Sequence, residues 1–247
     1  MSQRPKPCRI IPVLDLLGGV VVRGVAGKRE EYRPIASRLT ASSEAIDVAR
    51  AIRSRFDLSE IYLADLDAIV YRRPNHGRIR TLADDGFSLW VDAGLRSADE
   101  ANSIVTAGAV AVVAGLETLS GPEELSRLCE RYGSERVVFS LDLKSGFPLG
   151  NLCGWKSPEP TAIAEEAVRR GIQRMIVLDL AAVGVAQGIC TLPLCGSLRR
   201  SFPDLELITG GGVRGPADLR ELRAAQIDGA LVASALHDGR LEELKGG

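Results

Sequence analysis

Four strand-like segments in the first half of this chain recur, in the same order, in its second half. Arg9-Ile10-Ile11-Pro12-Val13-Leu14-Asp15-Leu16 is echoed by Arg136-Val137-Val138-Phe139-Ser140-Leu141-Asp142-Leu143, carboxylate included. Ile61-Tyr62-Leu63-Ala64-Asp65-Leu66-Asp67 is echoed by Arg174-Met175-Ile176-Val177-Leu178-Asp179-Leu180. Val91-Asp92-Ala93-Gly94-Leu95-Arg96 returns as Thr209 to Arg214, with Arg96 and Arg214 118 positions apart, and Val113-Ala114-Gly115 returns as Val232-Ala233-Ser234 after 119. Helical stretches separate the strands, and strands alternating with helices require a parallel sheet. Eight strands in two matched halves point to a closed barrel. We therefore expect α/β architecture: a single (β/α)8 TIM barrel over 1–247, with half-barrels at about 8–130 and 135–240. Its length of 247 residues suits one such barrel.

The second half carries the clearest ligand signal. Leu205 to Pro216 reads as a short buried strand, the run Gly210-Gly211-Gly212, and a helix start with Pro216 in its first turn. Gly229 to Leu236 repeats the logic, an apolar strand ending in small residues. A glycine run lets backbone approach a ligand, and N–H groups at a following helix start bind anions. Adjacent loops after strands seven and eight of a barrel commonly hold phosphate. Gly210, Gly211, Gly212, Ala233 and Ser234 are the expected phosphate-binding residues.

Carboxylates stand at four strand ends. Asp15 and Asp142 occupy equivalent ends of strands one and five, so they face each other across the mouth as candidate catalytic residues. Asp65 and Asp179 form a second pair, which either contacts substrate or orders a loop. Arg72, Arg73 and His76 lie on the second strand-to-helix loop, and His237 follows the last strand in what reads as an ordinary turn.

Composition narrows the class. Hydrophobic content of 45%, charged content of 26% and net charge −1 describe a globular chain with no pull toward nucleic acid or an anionic membrane. Met1 to Arg9 has no apolar leader and no segment reaches membrane-spanning length, so the expected location is cytoplasmic. Five cysteines without C-x-x-C spacing are expected to be reduced, and two histidines exclude a multi-histidine metal site. No metal ligand and no cofactor is expected.

These residues resemble the ProFAR isomerase family of histidine biosynthesis and its sister, the cyclase subunit of imidazole glycerol phosphate synthase. The resemblance is carried by Ile11-Pro12-Val13-Leu14-Asp15-Leu16 with Val22-Arg23, Ser140-Leu141-Asp142-Leu143, Gly154-Trp155, Gly210-Gly211-Gly212 and Val232 to Leu236. It implies a (β/α)8 barrel that binds a ribose-phosphate compound at its C-terminal face without cofactor. It implies that Asp15 is general base in an Amadori rearrangement, with Asp15 and Asp142 the cyclase's catalytic pair. It further implies substrate contacts from Arg23 and from Trp155 on a mobile loop, with Asp65, Gly94, Gly115 and Asp179 completing the substrate site. The cyclase docks a glutaminase on the barrel's N-terminal face, so a protein partner there is conceivable for this chain.

Departures accompany the likeness. The family's Asp-Gly-Thr after strand six, whose aspartate is the isomerase's acid, aligns here with Ala182-Val183-Gly184-Val185, and the strand-six threonine with Leu178. The second glycine run becomes Asp92-Ala93-Gly94, and Glu117 follows Gly115, which disfavours a second phosphate. The pattern resembles a divergent branch, some members of which neighbour genes for tetrahydromethanopterin-type one-carbon cofactors. Three readings stand: an isomerase or lyase acting on a monophosphorylated sugar or ribose-phosphate-linked heterocycle; a true ProFAR isomerase whose acid has moved, for instance to Asp65 or Asp67; or a non-catalytic phosphate-ligand-binding or assembly partner.

Overall fold

A computed structural model of the chain describes residues 8–185 and 188–241. The expected limits at 1 and 247, and the polar start over 1–7, lie outside them. The elements in order are β1 (Arg9–Leu17), β2 (Val20–Arg23), β3 (Arg33–Pro34), α1 (Ala45–Phe56), β4 (Glu60–Asp65), α2 (Leu66–Tyr71), α3 (His76–Asp84), β5 (Ser88–Asp92), α4 (Ala101–Thr106), β6 (Ala111–Gly115), α5 (Glu123–Tyr132), β7 (Val137–Lys144), β8 (Phe147–Pro148), α6 (Pro160–Arg169), β9 (Arg174–Asp179), α7 (Leu192–Ser201), β10 (Glu206–Gly210), α8 (Pro216–Ala224), β11 (Gly229–Val232) and α9 (Ser234–His237). Eight of the strands pair in parallel in the ring β1-β4-β5-β6-β7-β9-β10-β11, and β11 pairs back onto β1. The chain folds as a (β/α)8 barrel. Among the described residues no helix is long and apolar enough to cross a membrane.

The half-barrel repeat is visible in local devices. β1 and β7 each turn back into a short antiparallel strand, β2 and β8. The first turn donates N–H groups of Gly18 and Gly19 to Asp67; the second donates those of Ser145 and Gly146 to Asp179. Arg96 N–H bonds Glu100 at 2.9 Å, and Arg214 N–H bonds Asp218 at 2.7 Å, the same i to i+4 clasp in both halves.

Alternation along each strand decides what faces inward. Ile11, Tyr62, Ala64, Trp90, Val113, Val138, Ile176, Ile208 and Leu231 fill the barrel interior. Their neighbours Leu14, Leu16, Leu63, Leu89, Val91, Phe139, Leu141 and Val177 pack outward against the helices. At the N-terminal end of the barrel Arg9 bonds Glu60 (3.0 Å) and Glu206, and Arg174 bonds Glu206 (2.9 Å). Both guanidiniums lie 5.4–5.5 Å from the ring of Trp90, which is 1% exposed. The base of the barrel is thus closed by one indole between two charged groups that are themselves paired.

One boundary differs from the sequence expectation. The second strand ends at Asp65 rather than Asp67, because the Asp65 side chain accepts from Ala68 N–H and starts α2. Truncating the barrel plug tests the packing: Trp90→Ala should cost about 3–5 kcal/mol. Chemical denaturation would measure it, and a loss below about 1 kcal/mol would show that the indole is not a core element.

Candidate active site

A cavity opens at the C-terminal end of the barrel. Three carboxylates reach it by strand parity: Asp15 follows Ile11 and Val13, Asp92 follows Trp90, and Asp142 follows Val138 and Ser140 on the inward face. Asp15 is in register with Ala64 of β4, and Ala64 with Asp92 of β5.

Each carboxylate is held differently. Asp142, 6% exposed, accepts from Ser140 Oγ at 2.6 Å and from Glu117 N–H at 3.2 Å. Asp92 accepts from Tyr62 Oη and from Gly94 N–H, both at 3.0 Å. Asp15 has no hydrogen-bond partner among the described residues; its Oδ2 packs against Gly24, where an added Cβ would lie 3.0 Å away. Above them Arg29 donates to both oxygens of Glu117, at 2.9 and 2.8 Å, tying the first loop to the end of β6.

Removal from water raises all three pKa values. Asp15 moves to about 7, through burial first and the charge of Asp92 second, with Arg29 opposing. Asp142 also moves to about 7, by burial and then Asp92, against its Ser140 and Glu117 N–H bonds. Asp92 moves less, to about 6, because Gly94 and Tyr62 offset its burial. The Tyr62 hydroxyl is pushed well above its ordinary value by burial and then by Asp92 and Asp142. Groups poised near neutrality and facing one cavity are suited to proton transfer.

The cavity is also lined by Gly211, Gly212, Val213, Ala233 and Ser234, and by Arg23, His237 and Arg240. Gly211 and Gly212 have φ of +79° and +89°, and a Cβ on Gly212 would come within 2.4 Å of the Gly188 carbonyl. That loop requires glycine. Arg23 pairs with Asp238, which also accepts from Arg240 at 3.0 Å, and Arg240 Nε is buried without a hydrogen-bond partner among the described residues. His237 ends the short helix α9 rather than lying in a turn; burial, then Arg23, lowers its pKa to about 4, so its ring is neutral at pH 7.

Several expected site residues stand elsewhere. Asp65 and Asp179 have the opposite parity, outside the cavity. Asp65 binds Ala68 N–H and both the N–H and side-chain amide of Asn75, and Asp179 binds the N–H groups of Ala181, Ser145 and Gly146. They order loops. Trp155 is 8% exposed and stacks on Phe139 with centroids 5.6 Å apart, in the layer between barrel and helices. Gly210 does not line the cavity; its missing side chain admits Leu231, whose Cβ would lie 2.7 Å from an added Cβ. Gly94 likewise admits Ile69, and Gly115 makes room for the Asp142 carboxylate, 2.9 Å from an added Cβ. Arg72 pairs with Glu100, and neither Arg73 nor His76 lines the cavity.

Sequence reasoning treated Asp92 and Glu117 only as obstacles to a phosphate, and gave Tyr62 and Arg29 no role in the site. Parity carried the missing signal for Asp92 and Tyr62: each alternates with outward apolar residues of its own strand. Among the described residues no group of three or more His, Cys, Asp and Glu side chains is placed to hold a metal ion.

Comparison with known proteins gives the family. The family described as histidine biosynthesis protein matches residues 9–242. The chain belongs to that family. It is 27% identical over 239 residues to the 1-(5-phosphoribosyl)-5-((5-phosphoribosylamino)methylideneamino)imidazole-4-carboxamide isomerase of Lacticaseibacillus casei, covering 95% of this chain and 96% of the relative. The isomerase of the same name from Deinococcus radiodurans is 30% identical over 240 residues, covering 94% and 95%. An uncharacterized protein of Methanocaldococcus jannaschii is 30% identical over 237 residues, covering 95% of each chain. The chain is thus an isomerase-like member of the family.

The raised carboxylates fix the sign of a pH effect. A carboxylate whose folded pKa lies above its unfolded value stabilises the fold fully below the unfolded pKa and loses that contribution as pH rises through the folded one. For Asp15 and Asp142 the window runs from the ordinary carboxylate value of 3.8 to about 7. Asp15→Asn should therefore gain stability over the parent at about pH 8 and little at about pH 4, measured by urea denaturation at both. An equal effect at the two pH values would show that Asp15 is not desolvated.

Proposed function

We propose that this protein is a cofactor-independent isomerase of a ribose-phosphate-linked amine that carries one phosphate at the reacting sugar. The observation that carries the reading is the polarity of the cavity. Glycine loops, the start of α9 and Arg23 and Arg240 line it around β10, β11 and β2, while Asp15, Asp92 and Asp142 line it from β1, β5 and β7. A phosphate on Gly211, Gly212 and Ser234 N–H groups would leave the sugar carbons beside the carboxylates. The position of a second phosphate is taken by Asp92 and Glu117, and like charge at such short range disfavours a bisphosphate.

Amadori-type chemistry needs a group that gives a proton to the ring oxygen and one that removes a proton from the neighbouring carbon. Asp15, with a pKa near neutrality and no protein hydrogen bond, is one such group, and Asp142 faces the same space. Loss of the histidine pathway's second phosphate site supports a divergent role in another pathway; the likeness to a branch near one-carbon cofactor genes is consistent with it. A non-catalytic binding protein is the second reading, favoured by Val183 lining the cavity where the family's acid is expected.

Thermal shift with inorganic phosphate and ribose 5-phosphate tests the binding half. Both should stabilise the protein, and Gly212→Ala, which is strained at φ +89°, should abolish the effect. With a turned-over substrate in hand, Asp15→Asn should cost ~10²–10⁴ in rate while leaving phosphate stabilisation intact. No stabilisation by either compound would remove the reading; full activity in Asp15→Asn would return Asp15 to a structural role.

A further inference from the structure

The family's acid is missing after β9, and the two carboxylates expected to replace it do not reach the cavity. Asp65 is consumed in starting α2 and binding Asn75, and Asp67 accepts from Gly18, Gly19 and Asn75. The carboxylate that does enter is Asp92, at the end of β5, brought inward by the same alternation that buries Trp90. It stands with Asp15 and Asp142, and its closest neighbours from every side are identifiable. Tyr62 donates from β4, Gly94 N–H from its own loop, Asp15 and Asp142 face it from β1 and β7, and Glu117 with its partner Arg29 lies above.

The donor pattern separates the members of this group. One donor on each oxygen favours the ionised form of Asp92, and of Asp142, whereas Asp15 has no donor among the described residues and is favoured as the neutral acid. Two carboxyls in one cavity with different surroundings divide acid and base roles. We propose that Asp92 is the second proton-transfer residue of this site, entering the reaction as the ionised acceptor while Asp15 enters as the proton donor. This rests on the isomerase reading above and inverts the role that the family resemblance implies for Asp15. The ordering of their displaced pKa values, about 6 and about 7, agrees with it.

The steps balance. Asp15 gives its proton to the ring oxygen as the C1–O bond breaks; the bond pair stays on oxygen and the nitrogen lone pair makes C1=N. Asp92 takes the proton on C2, the C–H pair forms C1=C2, and the C=N pair returns to nitrogen. The enaminol becomes the ketone as Asp92 delivers its proton to C1 and the C2 hydroxyl proton goes to Asp15. Both groups end as they began, and the Tyr62 hydroxyl keeps Asp92 in place throughout.

The test follows the aspartate carboxyl carbons by NMR across pH in carbon-13-labelled protein, assigned with Asp15→Asn, Asp92→Asn and Asp142→Asn. It is joined to turnover of an N-(5-phosphoribosyl) arylamine, with stabilisation by inorganic phosphate as the control for fold and binding. Asp92 should ionise at lower pH than Asp15, and Asp92→Asn should lower the ionisation of Asp15 toward the ordinary carboxylate range. Asp92→Asn should lose ~10²–10⁴ in rate with phosphate stabilisation kept. Tyr62→Phe should raise the ionisation of Asp92 and move the acid limb of the rate profile with it, which a merely structural contact would not do. Ionisation of Asp15 before Asp92 overturns the proposal, and so does wild-type turnover in Asp92→Asn. A parent protein that binds phosphate yet converts no such amine removes the isomerase reading itself, and the catalytic role of Asp92 falls with it.

Discussion

Strand alternation in a closed barrel forces three carboxylates into one cavity. Asp15, Asp92 and Asp142 share the inward parity of Ile11, Trp90 and Val138, so none can turn outward without exposing the apolar residues beneath it. Charge in such surroundings is costly, and the protein answers with donors rather than with one counter-ion for each acid. Ser140 and the Glu117 N–H serve Asp142, Tyr62 and the Gly94 N–H serve Asp92, and Arg29 is shared with Glu117. Asp15 is left without a protein donor. Protons held near neutrality follow from burial, which these donors only partly offset.

The rest of the molecule fixes this group and sets a different surface against it. Arg9, Glu60, Arg174 and Glu206 around Trp90 close the far end of the barrel, so ligand meets the carboxylates from the C-terminal face. Loops after β10 and β11 supply backbone N–H groups and Arg240, and the end of β2 supplies Arg23. The first loop and the segment after β9 close against each other over the cavity: Ala26 N–H bonds the Val183 carbonyl at 2.7 Å, and a Cβ on Gly184 would fall 2.1 Å from the Gly24 carbonyl. Leu178, Leu180 and Val183 make that wall apolar where the family's relatives are expected to be polar. On the reading proposed above, one wall has lost its acid and another has gained a carboxylate.

The barrel was legible because its evidence is repeated: motifs returning after 118 or 119 positions leave few other folds. The twin aspartates at the ends of β1 and β7 were legible for the same reason. Asp65 and Asp179 stayed open between substrate contact and loop ordering because strand ends look alike in sequence, while a shift of one residue sends a side chain to the opposite face. Trp155 misled because a tryptophan after a loop glycine serves a ligand or a core equally well in sequence, and Phe139 on the outward face of β7 gives it a stacking partner. Arg29 was not readable at all. Its partner Glu117 is 88 positions away, and only closure of the barrel brings them together.

The central claim is that one cavity holds a phosphate at the loops after β10 and β11 together with carboxylates on β1, β5 and β7. Crystals grown or soaked with sulfate or phosphate test it most directly. The account predicts an anion at the loops after β10 and β11, bonded by N–H groups near Gly211, Gly212 and Ser234. Density for the anion beside Asp92 and Gly94, with the other loops empty, would contradict it.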